Sequence, residues 1–157
     1  MTDPILITLS VNGRAISVTT DPTAPLLDVL RGTLGMTGTR YGCGAELCGA
    51  CLVLVDGAPA YACSREIGSL SGQSVITVEG LGTPDSPHPI QIAMLAVQAG
   101  QCGYCLSGMQ IAAAALLART PSPSRMEIAA ALDGNLCRCG AHPRILAAVA
   151  QAAEAMQ

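Results

Sequence analysis

The sequence predicts an α+β fold built in two parts. Three observations carry this. β-branched residues alternate with polar ones over the first 80 residues, Ala, Leu and Met recur at helical spacing beyond them, and each part holds four of the eight cysteines. The parts are 1–80 and 81–157, joined by Gly82-Thr83-Pro84-Asp85-Ser86-Pro87-His88, a patternless stretch with two prolines that reads as an exposed connection over 82–88.

In the first part, Ile5-Leu6-Ile7-Thr8-Leu9-Ser10-Val11 and Ala15-Ile16-Ser17-Val18 flank Asn12-Gly13, which predicts two strands joined by a tight hairpin turn. Pro25 suits the first turn of a helix whose apolar face is Leu26, Leu27, Val29, Leu30 and Leu34, with Gly35 as its stop. A second hairpin is expected from Leu52-Val53-Leu54-Val55, Asp56-Gly57 and Pro59-Ala60-Tyr61-Ala62, then a last strand over Ser74-Val75-Ile76-Thr77-Val78. Two strands, a helix and further strands is the element order of a β-grasp ferredoxin. The second part predicts four helices. Pro89 opens one that ends by Gly100, a second runs from Ser107 to Arg119, and Ser124 with Glu127 makes a capping box for a third that ends at Gly134-Asn135. Pro143 starts the fourth, toward Ala155.

The cysteines carry the chemistry. Cys43, Cys48 and Cys51 read C-x4-C-x2-C, the plant-type spacing for a [2Fe–2S] cluster, and the hairpin returns Cys63 to them as the fourth ligand. The loop between must curl three thiolates around two irons and aim backbone N–H groups at the sulfurs, which its glycines permit. Zinc sites space their cysteines in matched pairs and disulfides need an oxidising compartment, so both alternatives fit this quartet less well. Cys102 and Cys105 form C-x2-C, and Cys137 and Cys139 form C-x-C after 31 residues. Two thiolates one residue apart fit a zinc knuckle poorly but can reach one iron from a tight loop. Spacing alone leaves structural zinc open here behind the iron–sulfur reading.

Composition narrows the function classes. With no Phe, no Trp and three Tyr, burial rests on small and aliphatic side chains, so closely packed thin helices stapled by metal are expected. A net charge of −3, with eight Lys and Arg that form no run, excludes a nucleic-acid surface. The Met1-Thr2-Asp3-Pro4 start is acidic, the apolar stretch after it alternates, and no run approaches the roughly 18 residues of a membrane span. A cytoplasmic chain with no direct membrane insertion is expected, one that a partner subunit could tether to a membrane or carry through export.

Three stretches, Tyr41-Gly42-Cys43-Gly44-Ala45-Glu46-Leu47-Cys48-Gly49-Ala50-Cys51, Gln101-Cys102-Gly103-Tyr104-Cys105 and Asn135-Leu136-Cys137-Arg138-Cys139-Gly140, resemble the small iron–sulfur subunit of the xanthine oxidase family of molybdenum hydroxylases. The likeness spans nearly the whole chain and is greatest to small subunits of the nicotinate dehydrogenase and isoquinoline 1-oxidoreductase type. It implies an amino-terminal β-grasp ferredoxin-like domain and a carboxyl-terminal four-helix domain, each with one [2Fe–2S] cluster. It further implies that Cys102, Cys105, Cys137 and Cys139 hold the cluster nearer molybdenum and Cys43, Cys48, Cys51 and Cys63 the one nearer solvent. Gln101 and Cys139 would contact the pterin of the molybdenum cofactor, which a large partner subunit holds. On this resemblance the chain is the electron-transfer subunit of an oxidoreductase with no substrate site of its own. The partner hydroxylates an N-heteroaromatic compound such as nicotinate, or an aldehyde in related enzymes, and an acceptor such as a cytochrome or flavin subunit receives the electrons. The alternatives to test are a stand-alone ferredoxin-like carrier and a zinc-bound structural adaptor.

Other conspicuous residues receive plainer readings. His88 and His142 stand before prolines at helix starts and read as local polar residues, and Met94 and Met109 fall on apolar helix faces. Arg138 is either a helix-end charge or a charge that tunes a cluster. Glu46 has no carboxylate partner for acid–base work. Gly42-x-Gly44 lacks the third glycine of a dinucleotide loop, so neither flavin nor nicotinamide binding is expected on this chain.

Overall fold

The computed structural model describes residues 3–157; Met1 and Thr2, half of the acidic amino-terminal stretch, lie outside it. β1 (Ile5–Val11) and β2 (Arg14–Thr20) pair antiparallel, with Val11 opposite Arg14. Asn12 and Gly13 have φ of 51° and 77°, the pair of positive values that a two-residue hairpin turn requires. Asp56 and Gly57 repeat this at 48° and 82° between β3 (Leu52–Val55) and β4 (Ala58–Tyr61). β5 (Ser74–Ile76) enters the middle of the sheet, parallel to β1 and antiparallel to β3, giving the order β2-β1-β5-β3-β4. This strand is shorter than the five residues expected, because Val78–Gly80 turns into a 3-10 helix.

One face of the sheet is covered by the segment after Pro25. The expected helix makes only one α turn, α1 (Leu26–Asp28), before widening into a π turn over Val29–Thr33. Even so it buries Leu26, Leu27 and Leu30 against Ile7, Leu9, Val53 and Val75. The other face meets the helices. β3 is apolar at every position because it is buried on both sides: Val53 points to the α1 core, while Leu52 and Leu54 belong to the helical core.

The helices are α2 (Pro89–Ala96), α3 (Leu106–Arg119), α4 (Arg125–Leu132) and α5 (His142–Ala155). α3 is central and buries residues from Ser107 to Leu117 apart from Gln110, touching α2, α4 and β3. Its alanines, and Ala93, Ala148 and Ala152 on α2 and α5, let backbones approach closely. The Ser124–Glu127 capping box forms in both directions, Ser124 Oγ accepting from Glu127 N and Glu127 Oε2 from Ser124 N. Met94 and Met109 are buried. Among the described residues no helix is long and apolar enough to cross a membrane.

His88 does more than precede a proline. Its Nδ1 accepts the Ile90 N–H at 3.1 Å, and Gln91 Oε1 accepts the His88 N–H at 2.9 Å, so the imidazole caps α2. Burial holds this imidazole below its ordinary 6.5, as a neutral acceptor requires. The unfolded chain therefore takes up the proton first. The cap contributes fully above about pH 6.5 and is lost as pH falls through the lower folded value, a contribution of about 1 kcal/mol. His88→Asn keeps an acceptor that does not titrate. The Tm difference between the two proteins should shift in favour of the variant between about pH 7 and pH 5; parallel curves would show that the ring does not act as the cap.

Candidate metal centres

The loop that bears the first quartet is fastened before it curls. Arg31 donates to the carbonyls of Thr37 and Thr39 at 2.8 and 2.7 Å, and the Glu79 carboxylate accepts from Gly38 N at 2.7 Å and from the Thr77 hydroxyl at 2.6 Å. Asn12 in turn accepts from Thr77 N at 2.9 Å, which ties the loop to the first hairpin. Three residues, Gly44, Glu46 and Gly49, then take φ near +60 to +70°. At Gly44 the φ of +67° favours glycine, and a Cβ there would also press on the Tyr41 hydroxyl at 2.7 Å. Glu46 reaches across to the Ser64 hydroxyl, beside Cys63, and closes the ring of the loop.

Inside this loop backbone N–H groups point at sulfur, as the spacing requires. Ala45 N and Leu47 N lie 3.3 and 3.2 Å from Cys43 Sγ, and Cys43 N lies 3.3 Å from Cys48 Sγ. The N–H groups of Ala45 and then Leu47 lower the Cys43 thiol to about 7. Burial, with Cys63 close by, pushes Cys51 up to about 12. One end of the quartet is exposed and ready to ionise. The other is sunk against the core.

The second quartet is assembled from helix ends. Cys102 and Cys105 lie on the turn between α2 and α3, and Cys137 and Cys139 on the turn between α4 and α5. Burial raises Cys105 to about 12. Cys102 is lowered by the Tyr104 N–H and by Cys139; Cys137 is lowered despite its burial, because the Ala141 N–H and Cys105 outweigh that cost.

The thiols associate in twos. Cys43 pairs with Cys48 and Cys51 with Cys63; Cys102 pairs with Cys139, their sulfurs 3.5 Å apart, and Cys105 with Cys137. Cys137 and Cys139, whose spacing would let them reach one iron, each turn to a different partner across the α2–α3 turn. Among the described residues no three His, Cys, Asp or Glu side chains gather around one point to hold a single ion. Two thiolates on each of two metals is the donor set of a binuclear iron–sulfur site, and the residues fit that group.

Gln101 is exposed and donates through Nε2 to the Cys139 carbonyl at 3.3 Å, so the two residues named for the pterin are neighbours. Gln101 borders an open cavity of about 560 Å³ that is also lined by Gln91, Met94, Leu95, Gln98 and Leu106. Arg138 is exposed at the edge of a second cleft, of about 170 Å³, where Cys48 faces Cys102, Cys105 and Cys137. Across that cleft Tyr104 donates its hydroxyl to the Tyr41 carbonyl, and the Arg40 guanidinium lies 5.6 Å from the Tyr104 ring centre. Leu136 N donates to the Cys48 carbonyl at 3.0 Å, and the buried Asn135 amide to the Gly49 carbonyl at 3.2 Å. Sequence reasoning missed Asn135, whose role shows only once the two loops meet. Its one signal was an Asn two residues ahead of a C-x-C pair.

Residues 9–73 match the 2Fe-2S iron–sulfur cluster binding domain, and residues 77–150 the [2Fe-2S] binding domain. The chain is 48% identical to a nicotinate dehydrogenase subunit of Pseudomonas putida, covering 94% of each chain. It is 47% identical to the alpha subunit of isoquinoline 1-oxidoreductase of Brevundimonas diminuta, covering 95% of this chain and 98% of that one. The crystal structure of quinoline 2-oxidoreductase from Pseudomonas putida 86 superposes with a TM-score of 0.93 at 36% identity, over 99% of this chain and 97% of that one. The chain thus belongs to the family of small iron–sulfur subunits of xanthine oxidase-type molybdenum hydroxylases, and carries that family's two [2Fe–2S]-binding domains in a β-grasp half and a helical half.

Proposed function

We propose that this chain is the electron-transfer subunit of a molybdenum hydroxylase, conducting electrons from a large molybdenum-cofactor subunit to an external acceptor such as a cytochrome or flavin subunit. The observation that carries it is the pairing of thiols in twos within two quartets, with Cys48 of the first facing Cys102, Cys105 and Cys137 of the second across one cleft. Cys43, Cys48, Cys51 and Cys63 would hold one cluster and Cys102, Cys105, Cys137 and Cys139 the other. Bound there, a [2Fe–2S] cluster supplies reversible one-electron oxidation and reduction.

The chain's own residues do the rest. The N–H groups of Ala45 and Leu47 stabilise the Cys43 thiolate, and the Tyr104 N–H that of Cys102. Gln101, held on the Cys139 carbonyl, keeps its Oε1 for a donor on the partner's pterin. The cavity beside it is bordered by uncharged amides and by Leu95, which is 79% exposed, a composition that suits burial under a partner subunit. The second quartet would therefore be the nearer to molybdenum and the first the nearer to the acceptor. The relatives named for nicotinate and isoquinoline favour an N-heteroaromatic substrate, bound by the partner, over an aldehyde. The linker at 82–88 would join two domains, 1–80 and 81–157, that share the sheet surface around Leu52 and Leu54.

Anaerobically purified protein should contain about four irons and four acid-labile sulfides, two per cluster, and should co-purify with a large molybdenum subunit when the two are expressed together. Zinc at the second quartet would make the chain a structural adaptor, and full iron content with no such partner would make it a stand-alone carrier. Either result overturns the proposal.

A further inference from the structure

The two quartets are joined by more than packing. From Cys137 the backbone runs to Leu136, whose N–H donates to the carbonyl of Cys48 at 3.0 Å. One peptide linkage and one hydrogen bond thus connect a cysteine of each quartet. The next peptide is gripped from two sides. Asn135, 3% exposed, donates its side-chain amide to the Gly49 carbonyl at 3.2 Å. Gly49 stands at φ +70°, and a Cβ there would be 2.3 Å from Asn135 Nδ2 and 2.7 Å from the Gly134 carbonyl. From α3, Gly108 approaches so closely that its own Cβ would be 1.9 Å from the Gly49 oxygen.

A buried amide is costly unless it is bonded, and an apolar side chain would fill the same volume without that cost. What Asn135 adds is direction. It fixes the carbonyl of Gly49, the residue after Cys48, relative to the turn that carries Leu136 and Cys137.

We propose that Asn135 is a positioning residue for electron passage between the two quartets, clamping the Gly49–Ala50 peptide, next along the chain from the Cys48 carbonyl, so that the Leu136 N–H···O=C Cys48 bond bridges them. The inference rests on both quartets holding clusters. In the step, the site of Cys102, Cys105, Cys137 and Cys139 is oxidised by one electron while the site of Cys43, Cys48, Cys51 and Cys63 is reduced by one; no bond breaks and no proton moves. Electronic coupling decays less along covalent and hydrogen bonds than across an unbonded gap, so the clamp governs how strongly the two sites communicate.

The test is low-temperature paramagnetic resonance of the intact, metal-loaded chain reduced with dithionite, alongside Asn135→Asp and Asn135→Ala. Wild-type protein should show splitting from the interaction of two reduced centres. Asn135→Ala should weaken that splitting, and Asn135→Asp, which sets a carboxylate against the Gly49 carbonyl, should weaken it further or abolish it, while iron and sulfide content stay at the wild-type level. A merely structural amide would lower Tm and leave the splitting alone. Unchanged splitting in both variants, no splitting in wild-type protein with both clusters present, or loss of a cluster from both variants each overturns the proposal. Wild-type protein that fails to load two clusters is a separate result, read from the metal count, and overturns the functional reading beneath it.

Discussion

Cys137→Ser should remove about half of the iron, two of roughly four atoms, and leave the first quartet loaded. The serine oxygen is a harder and weaker ligand for iron than thiolate. Cys137 is paired with the partly buried Cys105, so weakening one ligand of the pair loosens the metal they share and the damage spreads to the whole second site. The first quartet lies on a separate loop with its own N–H donors to Cys43 and survives. Electron flow out of the partner should stop if, as proposed, the second site is the one nearer molybdenum. Gln101→Ala is the contrast: both clusters should assemble, with transfer from molybdenum slowed and substrate preference unchanged. Rapid anaerobic mixing with substrate, following the two signals separately, reads all of this. Loss of both signals from Cys137→Ser protein that remains folded would show that the quartets are not independently assembled.

The second large effect is expected at Gly108, in the first turn of α3. In an open helix, Gly→Ala is stabilising by about 1 kcal/mol. Here the added Cβ would sit 1.9 Å from the Gly49 carbonyl oxygen, a backbone atom that cannot swing aside as a flexible side chain would. Either α3 backs away from the cysteine loop or the loop moves, and overpacking of this kind costs about 1–3 kcal/mol or more, outweighing the propensity gain. Gly108→Ala should lower Tm and weaken metal retention in both quartets, since the loop of the first and the α2–α3 turn of the second are pressed apart together. Gly32→Ala, in the helical segment after α1 with nothing within 4 Å of its Cβ, is the matched control and should be neutral to mildly stabilising. Equal Tm values for the two variants would show that α3 does not bear on Gly49 as closely as the structure has it.

Much of the architecture was legible locally. Asn12-Gly13 and Asp56-Gly57 dictated both hairpins because few residues tolerate the positive φ those turns need. Ser124 with Glu127 marked the start of α4 through bonds that span only three residues. The apolar run of β3 was legible as a hairpin arm, but its burial on both faces shows only in the structure, where Val53 joins one core and Leu52 and Leu54 the other. The segment after Pro25 departs from its pattern: its apolar spacing satisfies a helix, yet it widens into a π turn while wrapping the sheet. β5 also ends early, because Thr77 leaves the ladder and directs its N–H to the side chain of Asn12.

The sequence by itself supplied eight thiols at spacings that suit iron, with zinc left open at the second quartet, and two halves of different periodicity. Cysteine spacing is a local property, set by how far a short loop can reach. Tertiary structure alone decided which thiols pair, that Cys137 turns to Cys105 while Cys139 turns to Cys102, and that a buried Asn135 grips a carbonyl 86 residues away. These depend on α3 packing against β3 through glycine and alanine, which brings the turn between α4 and α5 onto the first cysteine loop. Such contacts join residues with no periodic relation along the chain, so no pattern in the sequence can announce them before the two halves close on each other.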